Sequence, residues 1–425
     1  MNEPAFADLH PLDQLIRAAV TAVCDGAEMS DAWKHLQQTP LDWRDVYSQV
    51  ARLEVGPMVY RGLQYVYADR PLAAQAALGR EDARPLERAL YRSYVDTVRV
   101  NTALYDQLAQ LVQEATRCNL KIVVLKGAYL AKYAYDDFGL RPMSDIDILV
   151  RGNDLDAAER MMCRLGYRYI DGPQAPGVWR NEHFHLNPFA HPEHPHAVEV
   201  HFQLTHPNDK VRFDSEALWA RAVPIHSEDG PVLALDTLDL LLHLAVHSCY
   251  LDKLAGPSLR QTCDVARVVN RMHAGLDWEE LARRAANGGA TAYIYLALEL
   301  ARLVCGAKVP EEFTAHLRPS DFPKELIREG INRVFHREYS LPISSTLAAF
   351  GIRGLSRTNL QHVFRSFSSE ALHQQYGPGA PPLLAFKRVF HLTRRYGKSV
   401  IRLCLRDMEA RAAVHRVAGL DDRLA

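Results

Sequence analysis

The residues of this chain best placed to do chemistry are Asp145 and Asp147, two positions apart in SDIDILV at the head of an otherwise apolar run. In a strand that spacing sends both carboxylates to one face of the sheet, where they repel unless a cation lies between them. A divalent ion meets that need, and magnesium suits hard oxygen donors shared with substrate phosphates. Upstream, Lys126 and Gly127 follow the apolar run at 122–125 and open a short helix. That arrangement offers a glycine turn, a helix N-terminus and an ammonium to an anionic group. Glu199 alternates with Val198 and Val200 in AVEVHF, and His201 leaves the same face two residues later. If that strand lies beside the one bearing Asp145 and Asp147, three carboxylates converge on one or two metals, a site suited to in-line phosphoryl or nucleotidyl transfer.

The elements that must position these groups can be read from periodicity. Residues 11–117 read as helical, with breaks near Pro40 and Pro71, and the last helix places Leu104, Leu108, Leu111, Val112 and Ala115 on one face. From 120 to 225 strands alternate with short helices: strands at 122–125, 146–150, 183–189 and 197–204, and a helix capped by Asn153 or Asp154 and ended by Gly166. AHPEHPH, with two prolines, is the exposed turn of a hairpin. Helices follow from Asp236 or Thr237 through His247, and at 257–272, 278–287 and 289–305. The expected division is an N-terminal helical region at 1–85, a catalytic core at 86–230 and a C-terminal helical domain with a basic tail at 231–425.

The succession of LKG, a Gly-Arg-Pro loop, SDIDILV and VEVHF resembles the nucleotidyltransferase superfamily, in a little-characterised bacterial branch with LKG in place of the usual Gly-Ser turn. The resemblance spans about residues 45–270, through LLHLAVHSCY and CDVARVV. It implies an α+β fold with a polymerase-beta-like core, a small mixed sheet with helices, flanked by helical regions. It also implies Mg2+, with Mn2+ as the substitute, and a nucleoside triphosphate, ATP first among them. On that basis Asp145, Asp147 and Glu199 are the metal-binding and catalytic set and Lys126 with Gly127 is the phosphate-side turn; Arg141 and Ser144 are further candidate nucleotide and phosphate contacts, and His201 is a candidate nucleotide contact or general base. The sequence departs from the superfamily pattern in two ways: Asp145 follows Gly127 by eighteen positions, leaving room for a lid, and the third carboxylate is Glu rather than Asp.

Other readings weigh less. Seven histidines fall within 183–206, but no cysteine accompanies them and three lie in the hairpin turn, which disfavours zinc. His243 and His247, four apart on an apolar helix, read as core histidines with Asp264 as their hydrogen-bond partner. Arg141 has Asp136 or Asp137 as an alternative partner to phosphate. No Walker loop, dinucleotide glycine motif or nucleophile elbow is present. Seven cysteines without a CxxC pair suggest free, mostly buried thiols in a reducing compartment. With no readable signal peptide and no apolar run of membrane-spanning length, the expectation is a cytoplasmic protein. Lys plus Arg (50) balances Asp plus Glu (51), although residues 381–425 carry ten basic against four acidic side chains. That tail reads as solvated helix faces, so nucleic acid is a minor alternative partner. The acceptor is not specified, and a non-catalytic nucleotide-binding regulator on the same fold is the alternative function.

Overall fold

The computed structural model describes residues 9–25, 42–69, 84–170, 183–207, 209–254, 257–272, 275–320, 322–323 and 325–335. The breaks expected near Pro40 and Pro71, and the basic tail, lie outside these residues. Among the described residues four helices precede the sheet: α1 (Pro11–Asp25), α2 (Trp43–Leu53), α3 (Gly56–Asp69) and α4 (Arg84–Arg117). Asp42 starts α2 by accepting a hydrogen bond from the Arg44 amide, which supplies one of the partners that a helix N-terminus lacks. After α4, Asn119 adopts φ +54° and the chain turns into the sheet.

Among the described residues seven strands form one mixed sheet: β1 (Val123–Val124), β2 (Asp145–Leu149), β3 (Arg168–Tyr169), β4 (Phe189–Ala190), β5 (Ala197–His201), β6 (Val223–Ile225) and β7 (Val232–Ala234), in the order β3-β4-β5-β2-β1-β7-β6. β5 lies parallel to β2, β7 parallel to β1, and the other pairs are antiparallel. The fold is thus α+β, a mixed sheet with flanking helices. The strand expected at 183–189 is reduced to β4 and a single bridge between His185 and His201. β3 and the β6–β7 hairpin were not foreseen; two or three residues are too few for alternation to register.

The pleat sorts the sheet's side chains. Ile146, Ile148, Val198 and Val200 are fully buried in a core with Leu104, Leu111, Val112 and Ala115 of α4 and with Met161 and Met162 of α6 (Leu155–Arg164). Val123, Leu125 and Leu149 instead join a second, larger core made mostly of helices. Its members come from α1 to α3 and from the helices that follow the sheet: α8 (Thr237–Ala245), α9 (Ser258–Met272), α10 (Trp278–Asn287), α11 (Thr291–Cys305), α12 (Glu311–Leu317) and α13 (Glu325–Phe335). Asp236 caps α8 by accepting from the Asp239 amide, and the helix continues as a π-helical turn, Val246–Leu251. Between the strands lie α5 (Lys126–Tyr133) and α7 (Ser215–Arg221). No described helix is long and apolar enough to cross a membrane.

Candidate active site

β2 and β5 run side by side in parallel, with Asp147 opposite Glu199, Asp145 opposite Ala197 and Leu149 opposite His201. The alternation that buries the isoleucines and valines on one face delivers Asp145, Asp147, Glu199 and His201 together to the other. The juxtaposition anticipated for the three carboxylates is therefore present.

Lys126 arrives from a third strand. β1 ends at Val124, the Leu125 amide donates to the Asp147 carbonyl at 3.0 Å, and α5 begins at once. Lys126 takes φ +38°, in a region that costs an L residue about 1–2 kcal/mol. From that kink its ammonium donates to Asp147 Oδ1 at 2.9 Å. His201 Nε2 lies 2.8 Å from the same oxygen and 3.5 Å from Glu199 Oε2. Strain of this kind, held in place by surrounding structure, is concentrated at functional sites.

The electrostatics follow from these contacts. Burial alone would raise the Asp147 carboxyl, but Lys126 and His201 outweigh it and hold it well below the usual carboxylate range. Burial would raise Glu199 as well, but His201 and Lys126 together lower it. Asp145 moves the other way, raised first by burial and then by the charge of Asp147. Burial would lower His201, but its bonds to Asp147 and Glu199 raise it. Asp147 is thus a fixed anion, whereas Asp145 accepts a hydrogen bond from the Ser144 hydroxyl at 3.1 Å. Donor atoms of Asp147, Glu199 and His201 lie within 4.8 Å of one another and could hold a divalent metal. With Asp145 beside them, the set is mainly hard carboxylate oxygen, the donor type that suits magnesium or manganese.

The remaining expected contacts are placed as follows. Ser144 is exposed at the mouth of the site, whereas His201 is fully buried behind Asp147. Arg141 is also buried; its Nε and Nη2 donate to Asp264 Oδ1 and Oδ2 at 3.1 and 2.8 Å. Neither Asp136 nor Asp137 is its partner: Asp136 pairs with Arg267 and Arg271, and Asp137 with Arg61. A Cβ on Gly127 would stand 2.5 Å from Arg141 Nη1. The glycine thus gives the guanidinium room beneath the turn. The long loop between α5 and β2 is tied down by these pairs and by Asn101, which donates to the Phe138 and Arg141 carbonyls at 2.6 and 2.9 Å. This anchoring ties the loop to α3, α4 and α9.

Asp264 does not serve His243 or His247. It binds Arg141 and accepts from the Tyr135 hydroxyl at 2.9 Å, while His247 Nδ1 lies 3.2 Å from Asp252. The support that Tyr135, Asp264 and Arg141 give to the turn was missed, and the one signal for it was an aspartate inside the apolar helix CDVARVV: a buried carboxylate requires a cation. Among the histidines of 183–206, His185 packs its ring 5.2 Å from that of His201. Burial, with His206 and His185 beside it, pushes His183 down to about 4. His191 and His194 pack instead on Tyr167.

Residues 39–306 match a family described as an uncharacterised nucleotidyltransferase. No curated protein and no solved structure matches the chain.

Proposed function

Because the chain belongs to this nucleotidyltransferase family, we propose that it is a magnesium-dependent enzyme moving a nucleoside monophosphate from a nucleoside triphosphate, ATP first among them, to an acceptor, with release of pyrophosphate. The observation that carries the reading is the convergence of Asp145, Asp147 and Glu199 on one face of two paired strands, with Lys126 already bonded to Asp147. Asp145, Asp147 and Glu199 would hold Mg2+, or Mn2+ in its place. When bound, the ion supplies charge neutralisation at the triphosphate and the reacting oxygens.

The protein's own groups divide the remaining work. Asp147 is fixed by Lys126 and His201, so its carboxylate needs little reorganisation on binding a charged ligand, and preorganised charge of this kind is a major source of catalysis. His201 is a positioning residue: its imidazole spans Asp147 and Glu199 from a buried position. The Lys126 ammonium, at the edge of the carboxylates, would meet the triphosphate. Ser144 and the Gly127 turn would line its path, and Arg141 would act by holding that turn against Asp264. The acceptor would enter on the side of Glu199, whose side chain is 24% exposed against 4% for Asp147.

A screen of α-32P-labelled nucleoside triphosphates with Mg2+ and candidate acceptors tests this reading. The wild type should transfer label and Asp145→Ala/Asp147→Ala should not. Equal transfer by both would refute the assigned site, and tight, Mg2+-independent binding without turnover would favour a nucleotide-binding regulator.

A further inference from the structure

Away from the carboxylates, three cysteines from distant parts of the chain meet in the helical core. Cys24 is the penultimate residue of α1, Cys263 lies within α9, and Cys305 is the last residue of α11. Their exposures are 2%, 0% and 0%. The three sulfurs lie within 4.8 Å of one another, and those of Cys263 and Cys305 are 3.6 Å apart. Sulfurs held at about 2.3 Å from a common ion stand about 3.7–4.0 Å apart, so the cluster needs little movement to close on one.

The backbone that carries these sulfurs is clamped by bonds that leave the sulfurs out. Asn270 of α9 donates to the Cys24 carbonyl at 2.9 Å and to the Gly306 carbonyl at 3.3 Å, and Arg267 donates to the Val23 carbonyl at 2.9 Å. From α1, Thr21 Oγ1 donates to the Val304 carbonyl at 3.0 Å, and Arg17 Nη2 to the Leu303 carbonyl at 3.1 Å. Gly306, at φ +70°, ends α11 where a Cβ would be 3.2 Å from Asp25 Cβ. Ligands on helices whose ends are fixed by such outer bonds are preorganised.

We propose that Cys24, Cys263 and Cys305 form a three-thiolate site for a thiophilic closed-shell metal ion, zinc or monovalent copper, that staples α1 to α9 and α11. Among the described residues no fourth Cys, His, Asp or Glu joins the trio. Three sulfur donors satisfy monovalent copper, whereas zinc commonly takes a fourth ligand. The staple would join α1, outside the family match at 39–306, to the two helices within it. It is independent of the proposed nucleotidyl transfer.

Full-length protein, reduced and stripped of metal under anaerobic conditions, is titrated with Zn2+ and separately with Cu+. Binding is read by native mass spectrometry, X-ray absorption and melting temperature. The expected result is one equivalent with a three-sulfur ligand shell and a melting temperature several degrees higher, for whichever ion is correct. Asp145→Asn/Asp147→Asn should retain that ion, as should Cys118→Ser, which removes a thiol outside the cluster. Cys263→Ser and, separately, Cys24→Ser should lose it. The sulfur count is taken on wild-type protein, so it stands even where a variant fails to fold. Reduced wild type that takes up neither ion, an ion held by oxygen and nitrogen alone, or a Cys263–Cys305 disulfide in place of bound metal would overturn the proposal.

Discussion

Lys126 combines two properties that substitution can separate: an ammonium bonded to Asp147 and a backbone at φ +38°. Lys126→Ala and Lys126→Gly both remove the ammonium, so both give up the same ion pair. Asp147 keeps its bond to His201 at 2.8 Å, which holds the shared loss below the roughly 3–5 kcal/mol expected when a buried charge is left with no partner. The two variants differ in the backbone. Alanine retains the Cβ that makes a positive φ cost about 1–2 kcal/mol, whereas glycine escapes it and gives back about 0.5–1 kcal/mol through its freedom in the unfolded chain. Lys126→Gly should therefore be more stable than Lys126→Ala by about 1 kcal/mol. Urea unfolding of the metal-free proteins, followed by tryptophan fluorescence, measures the difference. Label transfer should be impaired at least tenfold in both, so the stability order would owe nothing to activity. If alanine equals or exceeds glycine, the turn carries no backbone strain and the argument that a strained residue presents the ammonium fails.

Asp264→Ala leaves the Arg141 guanidinium buried without its carboxylate and removes the acceptor of the Tyr135 hydroxyl. Thermal or urea unfolding should show a loss of about 3–5 kcal/mol, mostly recovered in Asp264→Ala/Arg141→Met if the cost is the orphaned charge. Gly127→Ala should cost about 1–3 kcal/mol by overpacking, since its Cβ would fall 2.5 Å from an Arg141 nitrogen that Asp264 prevents from yielding. Because His201 is raised on folding, its contribution to stability is complete below its unfolded value of about 6.5 and is lost as pH rises through the folded value. Melting temperatures of the metal-free protein should fall over that interval, and His201→Gln should flatten the fall.

Much of the sheet and of the acid cluster was legible because local pattern and chemistry coincide there. SDIDILV carries its own face assignment: apolar residues at one parity must be buried, so Asp145 and Asp147 share the other. AVEVHF makes the same statement for Glu199 and His201, and caps such as Asp236 mark where helices begin. Residue type also limited the donors, since three carboxylates with a lysine admit few uses other than binding a cation and an anionic substrate. The separation of Asp145 from Asp147 in protonation behaviour, by contrast, depends on which of them Lys126 and His201 reach.

The sequence by itself therefore determined which residues share a face and what chemistry they could perform. Tertiary structure decided which strands are neighbours, because hydrogen-bond register between segments fifty residues apart leaves no trace in either segment's periodicity. It decided that Arg141 and Asp264, more than a hundred residues apart, neutralise each other beneath Gly127, and that the extra loop is anchored by Asn101 and three aspartate pairings. It also gathered Cys24, Cys263 and Cys305, which no spacing motif connects. A buried charge or thiol is completed by whatever lies beside it in space, and proximity of that kind comes into being only when the helices and the sheet pack.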